Sequence, residues 1–256
     1  MGLLGQTGVQ LYESRSDLAE PLWPDELDHI RRAVPERFNE FCTVRALVRQ
    51  GLGDLGLPRP PMVPGERGEP RWPLGVVGSI THCVGYRAVA IGRGREVRAV
   101  GIDAEPNLPL PGNVYQRISS DDERAAADRV RAVHPDISSD RLLFSAKEAV
   151  YKAWFPLART LLDFEGGQMI LSPAGFFTAV IWPSAPRREP VCVAPDRLLG
   201  CNRCTERRAG ESTRWRIRRG GSLSRAGSTT CSATISCVTI RTRKENHGDI
   251  NERRST

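Results

Sequence analysis

A fold that mixes helices and strands is predicted by three features of this sequence. A helix-period segment covers residues 25–51, short strand-period segments cluster between 76 and 105, and a second helix-period segment covers 139–155. With 256 residues the chain can hold one large or two small domains and bury a real core.

Residues 1–24 have no clear period and read as irregular up to Pro24. From Asp25 to Gly51, Leu27, Ile30, Val34, Phe38, Phe41, Val44 and Leu47 recur at three- and four-residue steps, which predicts helix interrupted at Pro35. Arg37, Phe41 and Arg45 stand at i, i+4 and i+8 and share one face. Residues 51–73 are rich in Gly and Pro and read as loop. Val76–Ile80 and Ala88–Ile91 read as short strands, with Thr81, His82 and Cys83 in a polar turn between them.

Val97–Glu105 is the third strand. Its period of two sends Val100, Ile102 and Ala104 to one face and Gly101, Asp103 and Glu105 to the other, and Pro106 ends it. The Pro-rich connector 107–112 divides an N-terminal half, 1–107, from a C-terminal half, 108–196. Ser120, followed by three acidic residues, opens one helix. Ser138 opens a longer one that is expected to stop near Phe155, at Pro156. Leu142, Ala146, Ala149 and Ala153 form its core stripe, while Phe144, Glu148 and Lys152 line another face. Phe176–Trp182 is a strand.

Beyond Pro195 the pattern degrades into Arg, Ser, Gly, Thr and Cys. Only Trp215–Ile217 and Ala233–Ile240 still resemble strands, and disorder is expected from about Glu245. The net charge of +7 resides there: from Arg197 onward 14 Lys and Arg face 5 Asp and Glu, which leaves 23 basic and 25 acidic groups in residues 1–196. The body is therefore not basic, and a nucleic-acid partner is not expected. Seven cysteines, an odd number, without a secretory leader argue against a disulfide framework. No apolar run reaches the length of a membrane span, and the first ten residues lack a signal-peptide pattern; a cytoplasmic protein is expected.

Asp103 and Glu105, with Glu148 from the later helix, can offer three carboxylates to a hard cation, and magnesium takes one or two carboxylates together with phosphate oxygens. The alternative is a solvated strand face. Lys147, Glu148 and Lys152 admit two readings as well: a helix-stabilising Glu–Lys pair at i, i+4, or a lysine pair that neutralises a pyrophosphate. Arg37, Arg45 and His82 would suit a second phosphate.

The segments Gly101-Ile102-Asp103-Ala104-Glu105-Pro106 and Phe144-Ser145-Ala146-Lys147-Glu148-Ala149-Val150-Tyr151-Lys152-Ala153-Trp154 together resemble the 4′-phosphopantetheinyl transferases of the Sfp type, in the enterobactin-synthase component D-like and actinobacterial branch. Arg37-Phe38-Asn39-Glu40-Phe41, Gly65–Pro73 and Gly78-Ser79-Ile80-Thr81-His82-Cys83 agree in order.

The resemblance implies an α+β fold of two pseudo-symmetric halves, each a small antiparallel sheet packed with a long helix, with coenzyme A in the cleft between them. It implies transfer of phosphopantetheine to a serine of an apo acyl or peptidyl carrier protein that presents an acidic helix, with release of 3′,5′-ADP. Asp103, Glu105 and Glu148 would hold Mg2+, and Glu148 would take the serine proton. Lys147 and Lys152 would contact phosphates and offset charge on the leaving 3′,5′-ADP, with Lys152 counted as catalytic beside Glu148. Arg37, Arg45, Gly68, Thr81 and His82 would hold the nucleotide end. A monomer is expected.

The tail departs from the family pattern, and the composition switch near Arg197 is what a reading-frame shift in a GC-rich gene would produce. Two other readings follow from it. One is a catalytically impaired transferase. The other is a zinc or nucleic-acid module built on Cys201, Cys204, Cys231 and Cys237.

Overall fold

The computed structural model describes residues 8–181, 191–192, 213–219 and 233–241. The Cys201–Cys204 pair, Cys231, the composition switch at Arg197 and the tail from Glu245 lie outside the described residues.

The α+β expectation is met by two antiparallel sheets, each with its own long helix. In the first, β1 (Val9–Ser14), β2 (Val76–Cys83) and β3 (Tyr86–Arg93) run in the order β1-β3-β2. Helices α1 (Pro24–Ile30) and α2 (Pro35–Asp54) precede β2 in the chain, with Pro35 at the first turn of α2, where its missing N–H costs nothing. The buried stripe Val44, Leu47, Val48 and Leu52 packs on Tyr12, Val89 and Ile91 of this sheet.

The second sheet takes the order β4-β9-β8-β6-β5, from β4 (Val97–Pro106), β5 (Gly167–Ser172), β6 (Phe176–Ile181), β8 (Thr213–Arg219) and β9 (Ala233–Arg241), with β7 (Val191–Cys192) paired to β6. Helices α3 (Gly112–Ile118), α4 (Asp121–Val133) and α5 (Ser139–Ala158) lie between β4 and β5 in the chain. Ala127, Val130, Leu142, Ala146, Ala149 and Ala153 pack against Met169, Leu171, Phe177 and Ala179. A further cluster joins the sheets, with Tyr86, Ala88 and Ala90 of β3 against Val100, Ile102 and Ala104 of β4. The predicted alternation of β4 is thus what the packing uses.

Several expectations change. The segment read as irregular before Pro24 contains β1, whose residues pair with β3 from Val9↔Gly92 to Ser14↔Arg87. A strand recruited to a sheet edge needs no strong pattern of its own. The polar turn is tighter than expected: β2 reaches Cys83, β3 starts at Tyr86, and only Val84 and Gly85 (φ +73°) connect them. Thr81 and His82 are therefore strand residues.

Strand β4, placed at the end of the first half by chain order, pairs with β9 from Val97↔Arg241 to Pro106↔Ala233 and belongs to the second sheet. Pro156 does not stop α5, which continues to Ala158 and ends on Arg159 in the left-handed conformation (φ 54°). In a last turn a proline removes only one helical bond. Strand β5 and helix α3 had no counterpart in the sequence pattern.

A close approach between helix and strand in the second half occurs at Gly101. A Cβ at this position would overlap the Ala149 carbonyl oxygen and lie 2.8 Å from the Ala153 amide nitrogen, so α5 rests backbone to backbone on β4. Gly101→Ala should therefore lift α5 and lower stability by about 2 kcal/mol or more, the range seen for overpacked cores. A urea melt of the variant checks this, and an unchanged midpoint would contradict the packing argument.

Candidate functional site

A cleft of about 400 Å³ opens between the two halves. One wall comes from α2, where helical spacing places Arg37, Phe41 and Arg45 toward it; β2 contributes Ser79, Thr81 and His82; β4 contributes Asp103; α5 contributes Glu148, Tyr151 and Lys152. The loop between α2 and β2 closes one side with Gly68, whose φ of +81° in a turn bonded from its amide to the Gly65 carbonyl (3.0 Å) demands glycine.

The basic end is organised by mutual contacts. Arg37 Nη1 lies 2.8 Å from His82 Nε2. A guanidinium only donates, so Nε2 accepts and the proton sits on Nδ1, 3.4 Å from Glu40 Oε2. Burial, with Arg37, Lys152 and Arg87 nearby, holds His82 below its ordinary value against the pull of Glu40.

Arg45 is 5% exposed. Its Nη2 donates to the Met62 carbonyl, its Nε is 3.6 Å from Glu26, and its guanidinium lies over the Phe41 ring at 3.8 Å. Desolvation lowers its pKa to about 10, with Glu26 opposing the shift.

The carboxylate end differs from a simple three-acid cluster. Asp103 is 5% exposed; its Oδ1 accepts from Lys152 Nζ at 2.8 Å, and its Oδ2 is buried without a hydrogen-bond partner among the described residues. Lys152 also donates to the Ile102 carbonyl at 3.2 Å. Glu105 stands at the margin, outside the cleft lining, and accepts from Arg141 Nη1 at 3.2 Å.

Burial is the main cause that raises the Glu148 carboxyl above the usual carboxylate range; Asp103 adds to it, Lys152 opposes, and Glu105 contributes further. Glu105 is raised by burial and then by Asp103. Among the described residues no set of three His, Cys, Asp or Glu side chains converges as a metal cage. An unpartnered buried carboxylate oxygen beside two acids with raised pKa values nonetheless suits a cation that brings its remaining ligands from elsewhere.

Two expected contacts are used differently. Lys147, one residue from Glu148 and therefore on another helix face, is 6% exposed and outside the cleft lining. Its ammonium sits 2.9 Å from Glu123 Oε1 and donates to the Phe164 and Gly167 carbonyls. Thr81 lines the cleft, but its hydroxyl accepts from the Ala104 amide at 2.9 Å.

Sequence reasoning missed Glu26, Glu123, Ser79 and Tyr151. The glutamates were visible only as acids in first helical turns. A second pocket of about 200 Å³ was not foreseen either; it shares Glu148 and Tyr151 with the cleft, and Leu161, Leu162, Phe164 and Met169 wall it together with Lys147 and Asp163.

An α+β cleft with guanidinium groups at one end and carboxylates with a lysine at the other has a charge pattern that a ligand with two anionic groups would match. Comparison with known proteins specifies the class. Residues 24–92 match the 4′-phosphopantetheinyl transferase N-terminal domain, and residues 99–194 match the 4′-phosphopantetheinyl transferase superfamily.

The chain is 48% identical over 175 residues to the 4′-phosphopantetheinyl transferase Svp of Streptomyces mobaraensis, covering 68% of this chain and 71% of that protein. It is 51% identical over 157 residues to the 4′-phosphopantetheinyl transferase PptT of Mycobacterium tuberculosis, covering 61% and 67%. Similarity extends at 32% over 135 residues to enterobactin synthase component D of Salmonella typhi, covering 52% and 55%. The chain belongs to the 4′-phosphopantetheinyl transferase family. Among the described residues no helix is long and apolar enough to cross a membrane.

Two predictions follow from this electrostatic arrangement. Glu123 is 2% exposed and is the ion-pair partner of Lys147, so Glu123→Ala should cost about 3–5 kcal/mol in a denaturant titration, as for other broken buried pairs. An effect below about 1 kcal/mol would contradict it. Glu148, whose folded pKa is raised, stabilises the fold fully below its unfolded value of about 4.3. That contribution is lost as pH rises through the folded value. Without added cation, the parent should lose more thermal stability than Glu148→Gln between pH 4.5 and 7; parallel profiles would refute this.

Proposed function

We propose that the protein transfers the 4′-phosphopantetheine arm of coenzyme A to a serine of an apo acyl or peptidyl carrier protein, with Mg2+, and releases 3′,5′-ADP. The observation that carries this reading is the polarity of the cleft, basic at the Arg37–Arg45–His82 end and carboxylate-lined at the Asp103–Glu148 end. Coenzyme A has a 3′-phosphate at one end of its nucleotide and a pyrophosphate at the other. The adjoining pocket, where Leu161, Leu162, Phe164 and Met169 stand with Lys147 and Asp163, would take the uncharged arm, with Tyr151 at the junction.

Arg37, Arg45 and His82 would bind the 3′-phosphate, and the glycine turn at Gly68 would let backbone approach the nucleotide. Asp103 and Glu148, with Glu105 beside them, would hold Mg2+, which supplies charge neutralisation to the pyrophosphate. Glu148, with its raised pKa, is suited to take the proton from the carrier serine. The serine oxygen bonds to the β-phosphorus, and the bond from that phosphorus to the bridging oxygen breaks. The electron pair stays on the departing 3′,5′-ADP, where the Lys152 ammonium offsets it. Lys147, committed to Glu123, supports α5 and β5 instead of touching phosphate. A monomer and an acidic carrier helix remain part of the proposal.

Incubation with coenzyme A, Mg2+ and a panel of apo carriers should add the mass of the arm to a carrier. No mass shift across the panel, or a Glu148→Gln variant as active as the parent, would overturn the reading. Lost turnover with retained coenzyme A binding would identify an impaired transferase. Arg37→Ala should raise KM for coenzyme A by tenfold or more, since a charge-assisted bond contributes about 1.5–3 kcal/mol, yet leave 3′-dephospho-coenzyme A unaffected.

A further inference from the structure

Strand β4 carries Asp103, and its two edges are satisfied in different ways. One edge pairs with β9 through a backbone ladder, with Asp103 opposite Ser236. The backbone groups of a strand alternate between its edges, so Ile102 and Ala104 turn their amides the other way. They meet two hydroxyls of β2 in place of a strand: Ser79 Oγ accepts from the Ile102 amide at 3.0 Å, and Thr81 Oγ1 accepts from the Ala104 amide at 2.9 Å.

Both hydroxyl residues are buried, Ser79 at 3% and Thr81 at 2% exposure. They stand two residues apart on β2 and reach amides two residues apart on β4, one on each side of Asp103. The next β2 residue is His82, at the basic end of the cleft.

From this geometry we infer that Ser79 and Thr81 are positioning residues for Asp103, fixing the carboxylate end relative to the basic end. The inference rests on the reading of that end as the divalent-cation and pyrophosphate site. These two bonds join residues from different sheets across the interface between the halves. Without them the amides of Ile102 and Ala104 would be buried unpaired, and β4 would have to shift to satisfy them. A shift there moves the Asp103 carboxylate while leaving Arg37 and Arg45 on α2 in place. Thr81 thus acts through backbone and not through direct contact with nucleotide.

The test measures Mn2+ affinity by electron paramagnetic resonance with coenzyme A present, and 3′,5′-ADP affinity by calorimetry without cation, in the parent, Ser79→Ala, Thr81→Val and Thr81→Ser. Ser79→Ala and Thr81→Val should weaken Mn2+ binding by about tenfold or more, as loss of outer-shell support does. Thr81→Ser, which keeps the acceptor, should restore it, and 3′,5′-ADP binding should stay as in the parent.

Variants that only melt at lower temperature, with parental Mn2+ affinity, overturn the inference; so does a Thr81→Val variant whose main loss is 3′,5′-ADP affinity. If Thr81→Val does not fold, Ser79→Ala, which leaves the Thr81 bond intact, decides by the same criteria. A parent that binds no Mn2+ with coenzyme A overturns the underlying reading and this inference with it. A parent that does, with both variants like it, overturns this inference alone.

Discussion

The contact on which the cleft depends is the backbone approach of α5 to β4 at Gly101. Only a residue without Cβ allows the Ala149 carbonyl and the Ala153 amide so near the strand. One helical turn C-terminal to Glu148 is Lys152, and two residues beyond Gly101 on the same strand face is Asp103. Close contact at Gly101 therefore brings Lys152 within 2.8 Å of Asp103 and lets Ser145 donate to the Asp103 carbonyl at 3.2 Å. A larger residue would separate helix and strand at the point where carboxylate and ammonium must meet, so the site inherits its geometry from a packing requirement.

Each half also uses a buried glutamate in the same way, although no internal sequence repeat is visible. Glu26 stands in the first turn of α1; it accepts from the Trp23 amide at 3.0 Å, accepts from the Met62 amide at 2.8 Å, and pairs with Arg45 and Arg49 of the long helix α2. Glu123 stands in the first turn of α4; it accepts from the Ser120 amide at 2.9 Å, accepts from the Met169 amide at 2.7 Å, and pairs with Lys147 of the long helix α5. One carboxylate thus caps a short helix, satisfies a later segment and neutralises a cation that the long helix would otherwise bury alone. The pseudo-two-fold expected from the family resemblance survives in these roles more clearly than in residue identity.

What the sequence made legible was whatever depends on local period. The Arg37–Phe41–Arg45 face, the Asp103 face of β4 and the alignment of Glu148 with Lys152 need only helical and strand spacing, and all these residues except Phe41 carry charge or polarity into the cleft. Tertiary pairing was not legible. Nothing local to Val97–Pro106 says that its partner is a strand more than a hundred residues later, or that its other edge is closed by two hydroxyls. Lys147 shows the limit most plainly. It adjoins Glu148, yet a helix turns about 100° per residue, so the two side chains serve different surfaces. The Lys-Glu dipeptide looked like one functional unit while the fold uses its members separately.

The division of charge at the carboxylate end assigns different tasks to its three acids. Arg141 serves Glu105 at the margin and also donates to the Leu108 and Pro109 carbonyls, so that pair holds the connector as much as the site. Lys152 serves Asp103, with its ammonium fixed by the Ile102 carbonyl. Glu148 has no ion-pair partner among the described residues and feels the charge of both Asp103 and Glu105, half-buried on the helix that faces the cleft. Repulsion and desolvation therefore fall mainly on Glu148, whereas Asp103 is held in place from both strand edges. A carboxylate held rigidly and paired suits a permanent ligand position, and one whose charge is least compensated suits a proton acceptor. That contrast arises from the partners each acid has, not from the acids themselves, and under the proposed function it would let Asp103 and Glu148 divide a binding step and a chemical step between them, with Glu105 at the margin.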